Sequence, residues 1–248
     1  MMGVLTAFAA YATPMMKYYG LKDSLLSNLM MHACGIFLLT SCAALVYVAQ
    51  TQSDAVLCRF TYGQMIGAFS RLTVMSCHGA KARAGGLQVT KELSMGWKVG
   101  LLTFFVLAEA QRAVTRITPQ RHFIKDSTTV KQKIITASLL MELYYIITLH
   151  FGDATMQGWF APKLKATDFI SMHWACSIGF LRWITTLQMF TLLPEEKLGV
   201  VAKFHSVDNL LQLYMMRKHQ AVFNPAEFQK HFTVGVARLG ATLFAAMG

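Results

Sequence analysis

The sequence predicts an all-α, multi-pass membrane protein, and three observations support that prediction. Of the 248 residues, 54% are hydrophobic and only 14% are charged, whereas a soluble domain has about 25% charged residues. Long apolar runs recur along the chain, and the clearest of them, 29–48, contains no Asp, Glu, Lys or Arg. None of the runs alternates between apolar and polar residues as a half-buried strand does, so helices are expected.

Four of these runs are predicted to cross the membrane: 29–48, 96–110, 134–151 and 169–193. A helix needs about twenty mainly apolar residues to cross a hydrocarbon core roughly 30 Å thick. The first and last runs reach this length, and 134–151 is slightly short. The run at 96–110 includes Lys98, whose stem is expected to lie along apolar surface while its ammonium reaches the headgroups.

Two further runs, 55–77 and 232–247, are interrupted by charge, so the chain is predicted to have four to six transmembrane helices. The first contains Arg59 and Arg71, and the second is short and has Arg238 inside it. The second is therefore expected either to cross the membrane or to lie on its surface.

The chain is expected to form a single helical domain over residues 1–248. No internal repeat, low-complexity tract or Gly/Ser linker divides it. Residues 1–16 are uncharged but contain Pro14, which favours a short membrane-associated helix over a span. They also lack the basic residues that precede a secretory signal core, so internal segments are expected to determine where the protein resides.

Residues 194–223 are predicted to form an amphipathic helix outside the membrane, near the C-terminus. Pro194 is followed by Glu195 and Glu196, which is typical of a helix start. This helix is expected to lie on the membrane surface or to dock on a partner through its apolar face. The apolar residues that recur at roughly helical spacing are Leu198, Val201, Leu210, Leu211, Tyr214 and Met215.

Arg182 lies near the centre of the apolar run 169–193, where an ionised side chain is hardest to solvate. An arginine there costs at least about 2.5–3.5 kcal/mol, so it is expected to face protein, water or a carboxylate. Glu142 lies near the middle of the preceding run, and consecutive spans joined by a short loop are expected to be antiparallel neighbours. The two are predicted to form an intramembrane ion pair that fixes the register of two helices. A role in ion or proton transfer is the alternative.

Residues 111–133 form a basic connection with six Lys or Arg residues and one acid. Basic segments beside a membrane bind anionic headgroups, so a phospholipid such as cardiolipin is the expected ligand. Basic residues fall on both sides of the membrane whether or not 55–77 crosses, so the positive-inside rule does not determine the orientation. No nucleic-acid-binding motif accompanies them, and nucleic acid is not an expected partner. The predicted headgroup-binding residues are Arg112, Arg116, Arg121, Lys125, Lys131 and Lys133.

His150 ends one predicted span and His173 begins the next, so both are expected near the same membrane surface. Two opposed imidazoles can ligate a haem, but histidines at span ends usually contact the headgroup region, and no cofactor is predicted. The histidines show no metal-ligand spacing, so no metal site is predicted. The five cysteines form no CxxC pair and are expected to pack as small apolar residues.

These features favour a non-catalytic accessory subunit of a large membrane complex over an enzyme. Few charged residues, a basic connection and a docking helix fit a peripheral subunit that binds lipid and contacts neighbouring membrane subunits. The basic composition and unpaired cysteines favour the mitochondrial inner membrane and an energy-transducing assembly such as a respiratory-chain complex or ATP synthase. Two alternatives remain: a small transporter or channel with Glu142 and Arg182 on its pathway, and a haem- or quinone-binding redox protein.

Overall fold

Helices dominate the part of the chain that the structure describes. The computed structural model describes residues 25–84, 98–99, 101–103, 105–107, 109 and 119–247. It is 86% helix, and within these ranges the only β-type pairing is an isolated bridge between Phe160 and Phe223. The predicted all-α class is therefore confirmed.

Seven α-helices can be followed in the described ranges, and short 3₁₀ turns flank the sixth. The turns are Glu195–Lys197 and Gln220–Val222. The residues described between 98 and 109 are also helical. The α-helices are α1 (Leu25–Thr51), α2 (Asp54–Ala84), α3 (Val130–Phe151), α4 (Asp153–Trp159), α5 (Ala166–Leu192), α6 (Leu198–Lys218) and α7 (Pro225–Met247).

Helix α5 lies at the centre of the bundle, in contact with α1, α2, α3 and α6. Between residues 171 and 192 none of its side chains is exposed. A helix that is covered on every side does not need a polar face, and α5 is accordingly apolar around most of its circumference. Its Phe190 packs with Phe60, Leu139 and Val201 from three neighbouring helices, and all four are fully buried. Each such side chain contributes about 1.5–3 kcal/mol of hydrophobic stabilisation.

The start of α3 is defined by a capping box and is joined to the start of α6. Thr129 Oγ1 accepts a hydrogen bond from the backbone N–H of Gln132 at 3.2 Å, and Gln132 Oε1 accepts one from the Thr129 N–H at 2.8 Å. These bonds satisfy backbone donors that the helix itself leaves free. Gln132 Nε2 also donates to Glu195 Oε2 at 2.9 Å. One side chain therefore caps the start of α3 and contacts the 3₁₀ turn that precedes α6.

Close packing of α2 on α5 depends on two glycines, Gly63 and Gly67. A Cβ atom at Gly63 would overlap the side chain of Gln188, and one at Gly67 would lie 3.0 Å from the Cα of Leu181. Small residues four apart let two helix backbones approach in this way. The other GxxxG pair in the sequence, Gly96 and Gly100, lies outside the described residues.

Two of the described helices are long and apolar enough to cross a membrane, Asn28–Thr51 in α1 and Val130–Phe151, which is α3. They coincide with the predicted spans 29–48 and 134–151. The predicted span 96–110 lies only partly within the described residues. The runs 55–77, 169–193 and 232–247 coincide with α2, α5 and α7.

Helix α6 lies within the segment in which the sequence predicts an amphipathic helix. A helix does form there, and Leu198 and Val201 are buried. Leu210 and Tyr214, however, are 56% and 63% exposed, whereas Asp208 is only 1% exposed. The second half of α6 therefore turns Asp208 and Asn209 into the bundle together with Leu213, while Leu210 and Tyr214 face outward. Ionised partners inside the bundle receive the polar side chains of this half, and docking of its exposed apolar side chains on a membrane surface or a partner stays a prediction.

Candidate functional site

Four ionised side chains from four helices meet inside the bundle, and together they form the charge cluster. Its members are Glu142 on α3, Arg182 on α5, Asp208 on α6 and Arg238 on α7, whose side chains are 5%, 3%, 2% and 8% exposed. Each lies near the middle of its helix, so the cluster lies near mid-height in the bundle. Two positive and two negative charges make it neutral as a whole.

Arg182 holds the two acids of the charge cluster together. Its Nη2 contacts Glu142 Oε1, and its Nη1 lies 2.7 Å from Asp208 Oδ2. A guanidinium carries five N–H donors in a planar fork, so it can serve two carboxylates at once. Its central carbon also lies 5.5 Å from the centre of the Phe37 ring, within cation–π range. Arg238 Nη2 lies farther from Glu142 Oε1, at 3.7 Å.

Neutral polar side chains extend the charge cluster to α1 and strengthen the link between α6 and α7. Thr40 Oγ1 on α1 donates to Asp208 Oδ1 at 3.1 Å. Arg238 donates to Asn209 Oδ1 and to Gln212 Oε1, the latter at 3.3 Å. Hydrogen bonds of this kind are needed because buried ions keep their solvation requirement after leaving water. The cluster consequently joins five helices.

The balance of charge offsets the desolvation cost of the whole cluster, and the loss of any one member is therefore destabilising. Moving one ion out of water costs several kcal/mol, and its partners offset that cost only while all of them are present. Removing one member of a buried pair typically destabilises a protein by about 3–5 kcal/mol. Because each member comes from a different helix, the cluster fixes the relative register of α3, α5, α6 and α7.

Sequence reasoning finds two members of the cluster and misses the other two. The structure brings Arg182 and Glu142 together. Asp208 was missed because an acidic residue is ordinary in a helix expected to lie outside the membrane. The sequence marks Arg238 only as an interruption of an apolar run. The signal that could have found Asp208 is a polar stripe on α6 at positions 205, 208, 209 and 212, which is one face of a helix.

A series of polar side-chain contacts leads from the bundle interior toward the start of α7. The Tyr145 hydroxyl lies 3.0 Å from His231 Nδ1. His231 Nε2 lies 3.0 Å from Glu227 Oε2, one helical turn earlier on α7. Tyr145 is also one turn beyond Glu142 on α3, so this series begins close to the charge cluster. These groups can donate and accept hydrogen bonds in sequence.

A largely apolar cavity of about 200 Å³ lies beside the charge cluster. Glu142, Arg182 and Arg238 form part of its wall, as do Tyr145 and His231. Most of the remaining wall is aliphatic, aromatic or methionine side chains from six helices. Representative apolar lining residues are Met30, Ile146, Leu149, Trp159, Met172 and Leu213.

The cluster and the cavity are the features from which a function can be inferred. Comparison with protein-family models, with curated proteins and with solved structures finds no match to this chain. The chemistry must therefore be inferred from the side chains: ion pairing, hydrogen bonding and an apolar wall. Across the described residues, no group of three or more His, Cys, Asp and Glu side chains is arranged to hold a metal ion.

His150, near the end of α3, and His173, near the start of α5, lie side by side. Their ring centres are 5.2 Å apart and the ring planes meet at 84°. Axial imidazoles of a haem must face each other across the porphyrin plane. Rings that touch edge to face leave no room for that plane, so this arrangement does not fit a bis-histidine haem. His173 Nε2 also lies 3.5 Å from Asp153 Oδ1.

The predicted headgroup-binding residues fall into three groups. Arg112 and Arg116 lie outside the described residues. Lys125 and Lys133 are exposed and Lys131 is half-buried, all close to the start of α3.

Arg121, the remaining member of this set, is buried and bonded within the protein. Its Nη2 donates to the Leu193 carbonyl at 2.9 Å, and its Nη1 lies 3.0 Å from Glu195 Oε2. Its guanidinium also lies 5.4 Å from the centre of the Phe190 ring. These contacts attach the segment before α3 to the end of α5, so Arg121 stabilises the fold at this position.

Acidification should weaken the contact between His32 on α1 and His219 at the end of α6. His32 Nδ1 lies 2.7 Å from His219 Nε2. Burial, and then the charge of Lys218, lowers the pKa of His219. The unfolded chain therefore binds this proton at higher pH than the folded chain, and stability falls as pH drops below about 6.5.

The measurement is the melting temperature of the detergent-solubilised protein at pH 7.5 and pH 5. His219→Gln should show a smaller difference between the two values than the unmodified chain. His122→Gln, at an exposed histidine before α3, is the control and should not change the difference. Equal pH dependence in all three proteins would rule out the contact as the cause.

Proposed function

We propose that this chain is a multi-pass membrane protein and a non-catalytic accessory subunit of a larger membrane assembly. The observation that supports this most directly is that charged side chains lie inside the bundle at mid-height, whereas apolar side chains lie outside. Two acids and two arginines lie inside, and the outward sides of α3, α6 and α7 at this height are apolar. Soluble monomers rarely expose large contiguous apolar surfaces, so lipid or neighbouring subunits are the expected surroundings.

The outer surface is uncharged over the length that a bilayer requires. On α3, no Asp, Glu, Lys or Arg side chain is exposed between residues 134 and 151. At about 1.5 Å per residue this stretch measures about 27 Å, close to a hydrocarbon core of roughly 30 Å. The same holds for α7 from residue 231 to 247. The exposed apolar side chains of α3, α6 and α7 are Leu140, Met141, Tyr144, Ile147, Phe151, Val207, Leu210, Tyr214, Val236, Leu243, Phe244 and Met247.

A structural role is favoured because the charged groups of the cluster connect helices. Glu142 links α3 to α5 and α7, and Arg182 links α5 to α3 and α6. Each buried ion is matched by another, so the cluster keeps no net charge for a substrate ion. Such a cluster sets helix register and rigidity, which suits a subunit that supports its neighbours.

We place the assembly in an organellar membrane, with the mitochondrial inner membrane as the first candidate. The chain has a formal net charge of +11, and Lys125, Lys131 and Lys133 are grouped at one end of α3. Basic groups at this position are suited to anionic phospholipids such as cardiolipin. Cys42 and Cys176 are free thiols, consistent with a reducing environment. Other membrane subunits and anionic lipid are the proposed partners.

Extraction and native electrophoresis test this proposal. Membranes from cells that make the tagged chain are washed with alkaline carbonate and then solubilised in a mild detergent. We expect the chain to remain in the carbonate pellet and then to migrate far above its own 27.7 kDa, with a constant set of co-purifying subunits. Recovery in buffer without detergent would refute the membrane location. A monomer in mild detergent would refute the accessory role.

Proton or ion transfer is a second candidate function. The observation that favours it is the series of polar contacts that joins Tyr145, His231 and Glu227. These groups lead from the cavity toward the start of α7, and Glu142 lies one turn inside them. In liposomes loaded with a pH-sensitive dye, a transporter should dissipate an imposed proton gradient, and Glu142→Gln should stop it. An accessory subunit should leave the gradient intact in both forms.

A further inference from the structure

We propose that the cavity beside the charge cluster binds a lipid with an uncharged polar headgroup. The headgroup lies against Glu142, Arg182 and Arg238, and the apolar tail lies among the side chains of α1, α3, α5 and α6. This inference deepens the proposed function, because a membrane supplies such a ligand. It rests on the cavity, on unpartnered buried polar atoms and on the charge balance of the cluster.

The size and lining of the cavity favour an amphipathic ligand. Its volume of about 200 Å³ exceeds that of an engineered apolar cavity of roughly 150 Å³ that binds benzene. Polar groups gather on one part of its wall, and the rest is apolar, which is the usual pattern of a small-molecule site. Met172 lies on the apolar part, and the Trp159 ring lies in the wall beside His231, with 4.4 Å between the ring centres.

Three members of the charge cluster have polar atoms whose hydrogen-bonding capacity is unused. These atoms are Glu142 Oε2, Arg182 Nε and Arg238 Nε. All three side chains are more than nine-tenths buried, and all three residues line the cavity. A buried polar atom without a partner costs about 1–3 kcal/mol. One acceptor and two donors match a headgroup that both donates and accepts, such as a hydroxyl.

Charge balance decides against an ionic headgroup. The cluster already contains two positive and two negative side chains, so an added anion or cation would remain uncompensated. An uncompensated charge at a buried site costs several kcal/mol. A neutral hydroxyl or ester gains hydrogen bonds without that cost. The expected class is therefore a neutral glyceride or a similar uncharged lipid.

We infer that a lipid tail enters the cavity on the side of α3. Met141, which lines the cavity, is 36% exposed and belongs to the apolar outer surface. Leu140 and Tyr144 continue that surface on either side of it. A lipid tail can therefore pass from the surrounding bilayer into the cavity without crossing a polar boundary.

The test uses three lipids that share a dibrominated C18 tail and differ in headgroup: glycerol, carboxylate and primary amine. Bromine quenches tryptophan fluorescence at short range, and Trp159 lies in the cavity wall. The full-length protein is purified in a maltoside detergent and titrated with each lipid. We expect saturable quenching by the glyceride, with the carboxylate and the amine at least tenfold weaker. Trp159→Phe should remove most of the saturable signal.

Two alanines on α1 supply a matched pair of variants. Ala33 lines the cavity and is buried, whereas Ala49 lies on the exposed side. Ala33→Phe should fill the cavity and weaken glyceride binding at least tenfold, and Ala49→Phe should leave it unchanged. Met141→Trp, at the exposed edge, is the alternative block if Ala33→Phe fails to fold.

Three results would overturn the inference: no saturable quenching, equal quenching by all three lipids, or binding that neither cavity variant reduces. Stronger binding of the carboxylate or the amine would also refute the neutral headgroup. Because the assay is carried out in detergent, it is independent of the extraction experiment. If the carbonate wash releases the chain and the chain still binds the glyceride, the binding site is supported and the membrane location is refuted.

Discussion

Replacing Arg182 with Met should leave little folded protein. The change removes a positive charge that contacts Glu142 and lies 2.7 Å from Asp208, so two carboxylates remain with only Arg238 to balance them. Breaking a buried pair costs about 3–5 kcal/mol, and a domain of this kind has roughly 5–15 kcal/mol in total. Met retains most of the side-chain volume, so the effect reports on charge more than on packing.

The measurement is the yield of monodisperse protein in detergent, together with its melting temperature. Arg217→Met is the matched control, because Arg217 is exposed on α6 and bonds only to the exposed Gln220 in the described structure. It should behave as the unmodified chain does. An Arg182→Met protein as stable as this control would mean that the charge cluster does not support the fold.

A double variant separates charge imbalance from lost contacts. Arg182→Met combined with Glu142→Gln restores two opposite charges, Asp208 and Arg238. The double variant should therefore be more stable than the sum of the two single changes, with a coupling of about 0.5–3 kcal/mol. Additive losses would show that the two side chains act independently.

The fold class and most helix positions could be predicted because both depend on local composition. An apolar run of about twenty residues is helical wherever backbone groups must bond within their own segment. Helices α1, α3 and α5 coincide with such runs. The two ends of the Arg182–Glu142 pair were also foreseeable, since a lone charge in an apolar run requires a partner.

The orientation of α6 could not be predicted from its own pattern. Amphipathic spacing shows that two faces differ, but the surroundings decide which face points inward. Asp208 and Asn209 face inward because Arg182, Arg238 and Thr40 lie there, and these partners come from three other helices. That information is distributed over distant parts of the chain.

Arg121 illustrates the same limit of prediction from local sequence, in this case for a residue in a loop. A basic residue in a basic connection is expected at the headgroups, and the local sequence contains nothing against it. Its actual partners, the Leu193 carbonyl and Glu195, are more than seventy residues away in sequence. Only the return of the chain at the end of α5 makes them available.

Replacing Leu140 with Arg should sharply reduce the amount of membrane-integrated protein. Leu140 is 43% exposed on α3, two residues before Glu142 and therefore at the height of the charge cluster. In a bilayer, an arginine at this depth costs about 2.5–3.5 kcal/mol on insertion scales. In water, an exposed substitution of this kind usually changes stability by less than about 0.5 kcal/mol. The two environments thus predict different results for one variant.

Ile124→Arg is the control for this substitution. Ile124 is 65% exposed and lies before α3, beside Lys125, where a further positive charge meets water or headgroups. We expect Leu140→Arg to lower the carbonate-resistant fraction severalfold and Ile124→Arg to leave it unchanged. Equal fractions for both variants would mean that the outer surface of α3 does not face lipid at this height. A loss that is rescued when partner subunits are overproduced would instead place a neighbouring protein against Leu140, because a protein surface can supply a carboxylate that acyl chains lack.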